Sequence, residues 1–210
     1  MVDKSKTHGE REFVDRVRRA TGGIPPPSPP ELDESVIRCV EPGSDLRERF
    51  VQRATTLGVG ISECKKDALL GVLKQSVVRH GQAVIEPALV ERFPELAELG
   101  RTDADDDVLF DAGCGITGVD FAIAETGSLV VSSGATKWRQ FSFVPPVHIA
   151  VVEATQLVPD LLDVLGSYAS DARLAANFVI ITGPSRTADI AQRLVQGVHG
   201  PIQVECVLID

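Results

Sequence analysis

The chain has 210 residues, 43% of them apolar and 24% charged, which suits one sizeable domain with a short appendage. Thirty acidic against 21 basic residues leave a formal charge of −9, and the densest basic stretch, Arg16 to Arg19, sits beside Glu10, Glu12 and Asp15. Such a surface repels phosphates, so no nucleic acid partner is expected. No run approaches the roughly 18 apolar residues of a spanning helix, so no membrane insertion is expected either. The opening MVDKSKTHGEREF carries no apolar run, which predicts no secretory leader and a cytoplasmic chain.

Residues 10–20 place Phe13, Val14 and Val17 at helical spacing, with Gly22-Gly23 to end the helix. IPPPSPP at 24–30 then holds an extended, semi-rigid path. Residues 1–30 therefore read as a helix on a stiff tether. It docks on its own domain, on a second copy or on another protein, so a homo-oligomer is left open.

The main domain is expected over residues 35–210. The pattern predicts a helix at 45–56 with Ser44 as N-cap and Gly58 beyond its end. A second helix runs from Ser62 to Gly81, with Leu69, Leu70, Leu73, Val77 and Val78 on its apolar face. AVIEP at 83–87 is a short strand, and 88–100 is helical in part. DADDD at 103–107 lacks the spacing of a calcium loop and reads as a solvated acidic loop. LVV at 129–131 is a buried strand, while the alternation of Val119, Phe121 and Ile123 fits a strand or a helical turn.

In the last third, HIAVVEA at 148–154, FVIITG at 178–183 and VECVLI at 204–209 read as buried strands. Helices are expected after Pro159 and from Pro184 onward. Strand, helix, strand, helix, strand with short links predicts an α/β fold built on an open, mostly parallel sheet flanked by helices, with an N-terminal helical extension.

Ligands of such sheets bind at the carboxyl ends of the strands. Two segments are expected there. Gly183, Pro184, Ser185, Arg186, Thr187 and Asp189 combine a sharp turn, a helix start, hydroxyls and a guanidinium, which suits a carboxylate or phosphate. The plainer alternative is a helix cap with Arg186 paired to Asp189. Glu125-Thr126-Gly127 before the LVV strand offers a carboxylate as nucleophile, base or hydrogen-bond anchor, or is simply a capped turn. His148 and His199 are either acid–base groups or structural histidines. GCGITG at 113–118 only loosely matches a phosphate-cradling loop, without a Walker lysine. Trp138 and Arg139 either line a mouth or cover a sheet end.

The four cysteines, Cys39, Cys64, Cys114 and Cys206, are scattered with no C-x-x-C pair. They fit neither a disulfide framework nor an iron–sulfur motif, and are expected as small buried hydrophobes. No metal and no cofactor are expected in this chain.

Three segments taken together resemble the LUD-domain family: GITGVDFAIAETGSLVV at 115–131, PPVHIAVVEATQLVP at 145–159 and TGPSRTADIAQRLVQGVHGP at 182–201. The leading helix and proline tether match as well, so the resemblance covers essentially the whole chain. It implies a fold similar to the sugar-phosphate isomerase and CoA-transferase superfamily. It also implies work alongside iron–sulfur partner proteins, which hold the clusters, in oxidising L-lactate to pyruvate. The residues it implicates are Glu125 and His148 as catalytic groups. Thr117, Asp120, Thr126, Gly127, Gly183, Ser185, Arg186, Thr187, Asp189 and His199 would bind a small anionic ligand. Two other readings stand beside it: a free-standing transferase or isomerase using Glu125, and a non-catalytic ligand-binding or assembly protein.

Overall fold

A computed structural model of the chain describes residues 8–20, 22, 33, 38–41, 43–103, 105–134, 139–170, 177–187, 195–196 and 200–210. The proline run, Trp138, Asp189 and His199 lie outside the described residues. Two compact units separate at Met1–Ile37 and Arg38–Asp210. Within the first, the helix α1 (His8–Ala20) leaves Phe13 and Val17 exposed, with Arg18 pairing to Asp15 one turn back.

The second unit begins with α2 (Leu46–Thr56), whose N-cap is Asp45 and not Ser44. The Asp45 carboxylate accepts the Glu48 N–H at 3.0 Å, while the Ser44 hydroxyl donates to the Glu41 carbonyl. A strand that the sequence pattern did not suggest follows, β1 (Gly60–Cys64). It is a half-exposed edge strand, so it lacks the apolar run that marks a buried one. The expected helix from Ser62 therefore starts later, as α3 (Leu69–His80), and Gly81 ends it at φ +92°.

Next come β2 (Ala83–Ile85), α4 (Pro87–Arg92), β3 (Gly100–Arg101), α5 (Asp106–Asp111) and β4 (Cys114–Gly118). The GCGITG segment is thus mostly a strand in the middle of a sheet and not a phosphate loop. Its glycines admit close neighbours. A Cβ on Gly115 would lie 1.8 Å from the Phe141 carbonyl oxygen, in the short helix α6 (Gln140–Phe143).

Between β4 and α6 lie β5 (Phe121–Ile123) and β6 (Ser128–Ser132). Then follow β7 (Val147–Glu153), β8 (Leu157–Val158), α7 (Leu161–Ser170) and β9 (Phe178–Ile181). The chain closes with β10 (Arg186–Thr187), β11 (Val195–Gln196) and β12 (Gln203–Ile209).

Six strands form one sheet in the order β1-β12-β7-β4-β2-β3, and every neighbouring pair is parallel. The α/β expectation holds there. Strand β9 corrects the rest of it. It does not join β7 and β12, but pairs antiparallel with β6 in a second sheet ordered β8-β5-β6-β9. Nor is it a buried strand as expected: Ile180 is exposed and only Ile181 is buried, because an apolar run does not say which sheet a strand enters.

The core follows from the period-two alternation of the central strands. Ile116, Ile149, Val151 and Val207 face α3 and α4, meeting Leu69, Leu73 and Leu89. Ala150, Val152, Cys206 and Leu208 face the other way, against Phe50 and Ala54 of α2 and Leu129 and Val131 of the small sheet. That second face is covered by one helix and a sheet, where helices alone were expected. Helix α7 then covers the outside of the small sheet through Val164, on Ile123 and Val130.

Candidate functional site

The expected site residues do not gather in one place. At the carboxyl ends of β2 and β4 stands a narrow cleft with a cavity of about 40 Å³, lined by Glu86, Leu89, Arg92, Gly118, Asp120 and Ser132 among others. Glu86 is buried and accepts the Gly118 N–H at 3.0 Å, extending the β2–β4 ladder beyond its last strand pair. Arg92 pairs with Glu153 at the end of β7. The Tyr168 hydroxyl lies beside Asp120 and Ser132; burial first, then the Asp120 charge, push it up to about 12. Of this group, the sequence singles out only Asp120. Glu86 carried a signal, since it directly follows the AVI strand where ligand-facing residues are common.

Thr117 and His148 form a second, fully internal pair. Both side chains are buried, and Thr117 Oγ1 lies 2.9 Å from His148 Nε2. Burial in an apolar setting pulls the imidazole down to about 4, so it is neutral near pH 7. Its Nδ1 has no hydrogen-bond partner among the described residues. The ring has no solvent access in this conformation, which an acid–base role needs.

The Glu125-Thr126-Gly127 turn joins β5 to β6 and packs against α2. Gly127 sits at φ +69°, and a Cβ there would come within 2.4 Å of the Ala54 nitrogen. Glycine is needed for both reasons. The Glu125 N–H donates to the Pro159 carbonyl at 3.0 Å, and Glu125 holds the exposed Cys39 thiol above its ordinary range. Thr126 Oγ1, Ser128 Oγ and Thr182 Oγ1 form a hydroxyl chain with links of 2.7 and 2.9 Å. Ser128 and Thr182 are therefore neighbours that sequence reasoning passed over, because the pairing of β6 with β9 brings them together.

Gly183, Ser185, Arg186 and Thr187 were expected at the carboxyl ends of the parallel strands and at a helix start. The structure places them elsewhere. Arg186 Nη2 donates to the Leu57 carbonyl at 3.3 Å, and the Ser185 N–H to the Pro201 carbonyl at 2.9 Å. Leu57 precedes β1 and Pro201 precedes β12, so this loop lies at the amino ends of those strands. Arg186 and Thr187 belong to β10, paired antiparallel with Val195 and Gln196, so no helix begins at Pro184. Tertiary contacts overrule local propensity here: Gly183, at φ +85°, turns the chain directly onto Leu57. Arg186 itself is exposed.

The cysteines also divide. Cys114 and Cys206 are buried, which pushes their thiols up to about 11 and about 12. Cys39 is exposed and Cys64 half-buried, against the expectation for all four. Among the described residues no group of three or more His, Cys, Asp or Glu side chains is placed to hold a metal ion. None of the described helices is long and apolar enough to cross a membrane.

A family model described as LUD domain matches residues 47–209. The chain belongs to the LUD-domain family. Three relatives are each called lactate utilization protein C. The one from Exiguobacterium is 27% identical over 94% of this chain and 94% of its own. The one from Anoxybacillus flavithermus is 26% identical over 79% of this chain and 81% of its own. The one from Halalkalibacterium halodurans reaches 39%, over 47% of this chain and 45% of its own, so that match spans about half of each protein. Among solved structures, a DUF162 family protein from Deinococcus radiodurans matches with a TM-score of 0.63 at 20% identity. The match covers 79% of this chain and 97% of that one, which supports the LUD fold and nothing finer.

Proposed function

We propose that this protein is a subunit of an L-lactate utilisation system. It would act with iron–sulfur partner proteins in the oxidation of L-lactate to pyruvate. One observation carries the reading: similarity to proteins called lactate utilization protein C that extends over 94% of both chains in one case. The cysteine arrangement is compatible with a division of labour. Two of the four cysteines are buried apart from any metal-binding group of described residues. In this reading the clusters sit in the partners, and this chain contributes binding or assembly.

The anionic ligand of the reading is a small carboxylate, held at Arg186. That guanidinium is exposed at the amino ends of β1 and β12. A planar fork of N–H donors suits a carboxylate. His148 is not assigned a chemical role, because it is enclosed and neutral. Glu125, partly exposed in its turn, stays as the candidate acid–base or anchoring carboxylate.

Deleting the gene and measuring growth on L-lactate as sole carbon source tests the role. Growth should stop and return with the wild-type gene, while growth on glucose is unaffected. Undiminished growth on lactate would remove the proposal. A thermal-shift titration with L-lactate and pyruvate, wild type against Arg186→Ala, tests the ligand separately.

A further inference from the structure

Strands β2 and β4 are neighbours in the parallel sheet, but the chain leaves them in opposite directions. From β2 it runs on to β3 at one edge, and from β4 to β7 on the other side. The two connections also leave on opposite faces. Leu89 of α4, which follows β2, packs on the face that α3 covers. Val119, which follows β4, packs on the other face with Leu129 and Val131 of the small sheet. Where onward connections diverge in this way, a crevice opens at the carboxyl ends of the two strands, and ligands of open parallel sheets bind there. The narrow cleft between Glu86 and Asp120 stands at that point.

Its lining has a polarity. On the inner side are acceptors: Glu86 and Ser132 are buried and Asp120 is half-buried. Glu86 Oε2 takes the Gly118 N–H at 3.0 Å, which fixes the carboxylate in the cleft. On the solvent side stands the half-exposed Arg92, held by Glu153 and by the Phe93 ring, whose centroid is 5.7 Å from the guanidinium carbon. A guanidinium has several N–H donors, so one carboxylate partner leaves others to meet a ligand. Leu89, Val119 and Val131 supply apolar walls.

This order of groups selects a ligand. An ionised carboxylate only accepts, so the inner end of the ligand must donate. A hydroxyl enters so confined a space at less desolvation cost than an ammonium. Arg92 at the mouth suits an acid group, which it can meet with paired N–H donors. The cavity of about 40 Å³ takes two or three water-sized groups at roughly 10–15 Å³ each, which is the head of a small molecule.

We propose that the crevice between β2 and β4 binds a small hydroxy acid, with its hydroxyls on Glu86 and Asp120 and its acid group on Arg92. The site is at the carboxyl ends of the parallel strands, whereas Arg186 is at the amino ends, so the two are separate. It stands whether or not L-lactate, one member of the class, is the natural ligand.

The experiment is calorimetric titration of the full chain with glycerate, glycerol, propionate and alanine. Glycerate has both hydroxyls and an acid group; each of the others lacks one feature or puts an ammonium in place of the hydroxyl. Glycerate should bind at least about tenfold more tightly than any of the three. Glu86→Gln keeps an oxygen for the Gly118 N–H but loses the charge, and should weaken glycerate about tenfold or more, as should Arg92→Gln. Arg186→Ala should leave glycerate affinity within about twofold. No saturable glycerate binding at millimolar concentration overturns the site. Tighter binding of alanine than of glycerate overturns the hydroxyl assignment. Binding that is lost in Arg186→Ala and kept in the two cleft variants overturns the cleft, while leaving a carboxylate site at Arg186 in place. If Glu86→Gln does not fold, Arg92→Gln and Asp120→Asn decide.

Discussion

Thr117 Oγ1 and His148 Nε2 meet at 2.9 Å in the interior, between two neighbouring parallel strands. The pair crosses the strand boundary diagonally, since Thr117 is in register with Ala150 and His148 with Gly115. Gly115 leaves the room that α6 fills. The sheet thus buries a titratable ring at its centre and keeps it neutral.

That burial makes stability depend on pH in a defined window. The folded imidazole titrates at about 4, against 6.5 for an unperturbed histidine, so the unfolded chain binds the extra proton first. The contribution is complete above pH 6.5 and is lost as pH falls toward 4, to a maximum of about 3 kcal/mol. Urea unfolding at pH 7, 5.5 and 4.5 should show the decline. His148→Gln should flatten it, whatever the variant does to stability at pH 7. An unchanged slope would mean that His148 is not the group responsible.

Gly127 is a second point where the fold constrains sequence. Gly127→Ala places a side chain at φ +69° and against the α2 backbone. The expected cost is about 2–4 kcal/mol in unfolding free energy. Gly166 of α7 is the control, because a Cβ there meets nothing within 4 Å. Gly166→Ala should be neutral or stabilising by up to about 1 kcal/mol. Equal losses in both would show that the Gly127 contact is not what matters.

Asp160 does two things at once, capping α7 and accepting from Arg38. Asp160→Ala should therefore cost about 2–3 kcal/mol. Asp163→Ala should cost less than about 1 kcal/mol, since its partner is half-exposed and the cap survives. Chemical denaturation of the two variants gives the comparison, and a reversed order would contradict the assignment of the cap.

The parallel sheet was legible because its inner strands are buried on both faces and read as apolar runs, as in HIAVVEA and VECVLI. Strand β1 was not, because GISEC is an edge strand with Glu63 in solvent, paired to Arg47. Sheet membership was also beyond local pattern. Only register shows that Val130 pairs with Ile180, which moves FVIITG out of the parallel sheet. The site fared less well for the same reason. Gly127 and Gly183 stood out correctly as turn residues, but the surfaces they turn toward, Ala54 and Leu57, lie more than 70 residues away in sequence. Glu86 and Arg92 were missed because nothing local ties a strand end to the loop that carries Asp120.

The most direct test of the lactate reading is reconstitution. L-lactate oxidation to pyruvate would be measured for the iron–sulfur partner proteins of the same organism, with and without this chain, using an artificial electron acceptor. The account predicts that omitting the chain lowers the rate at least tenfold and that adding it back restores the rate. An equal rate without it would contradict a role for this chain as a subunit of the system.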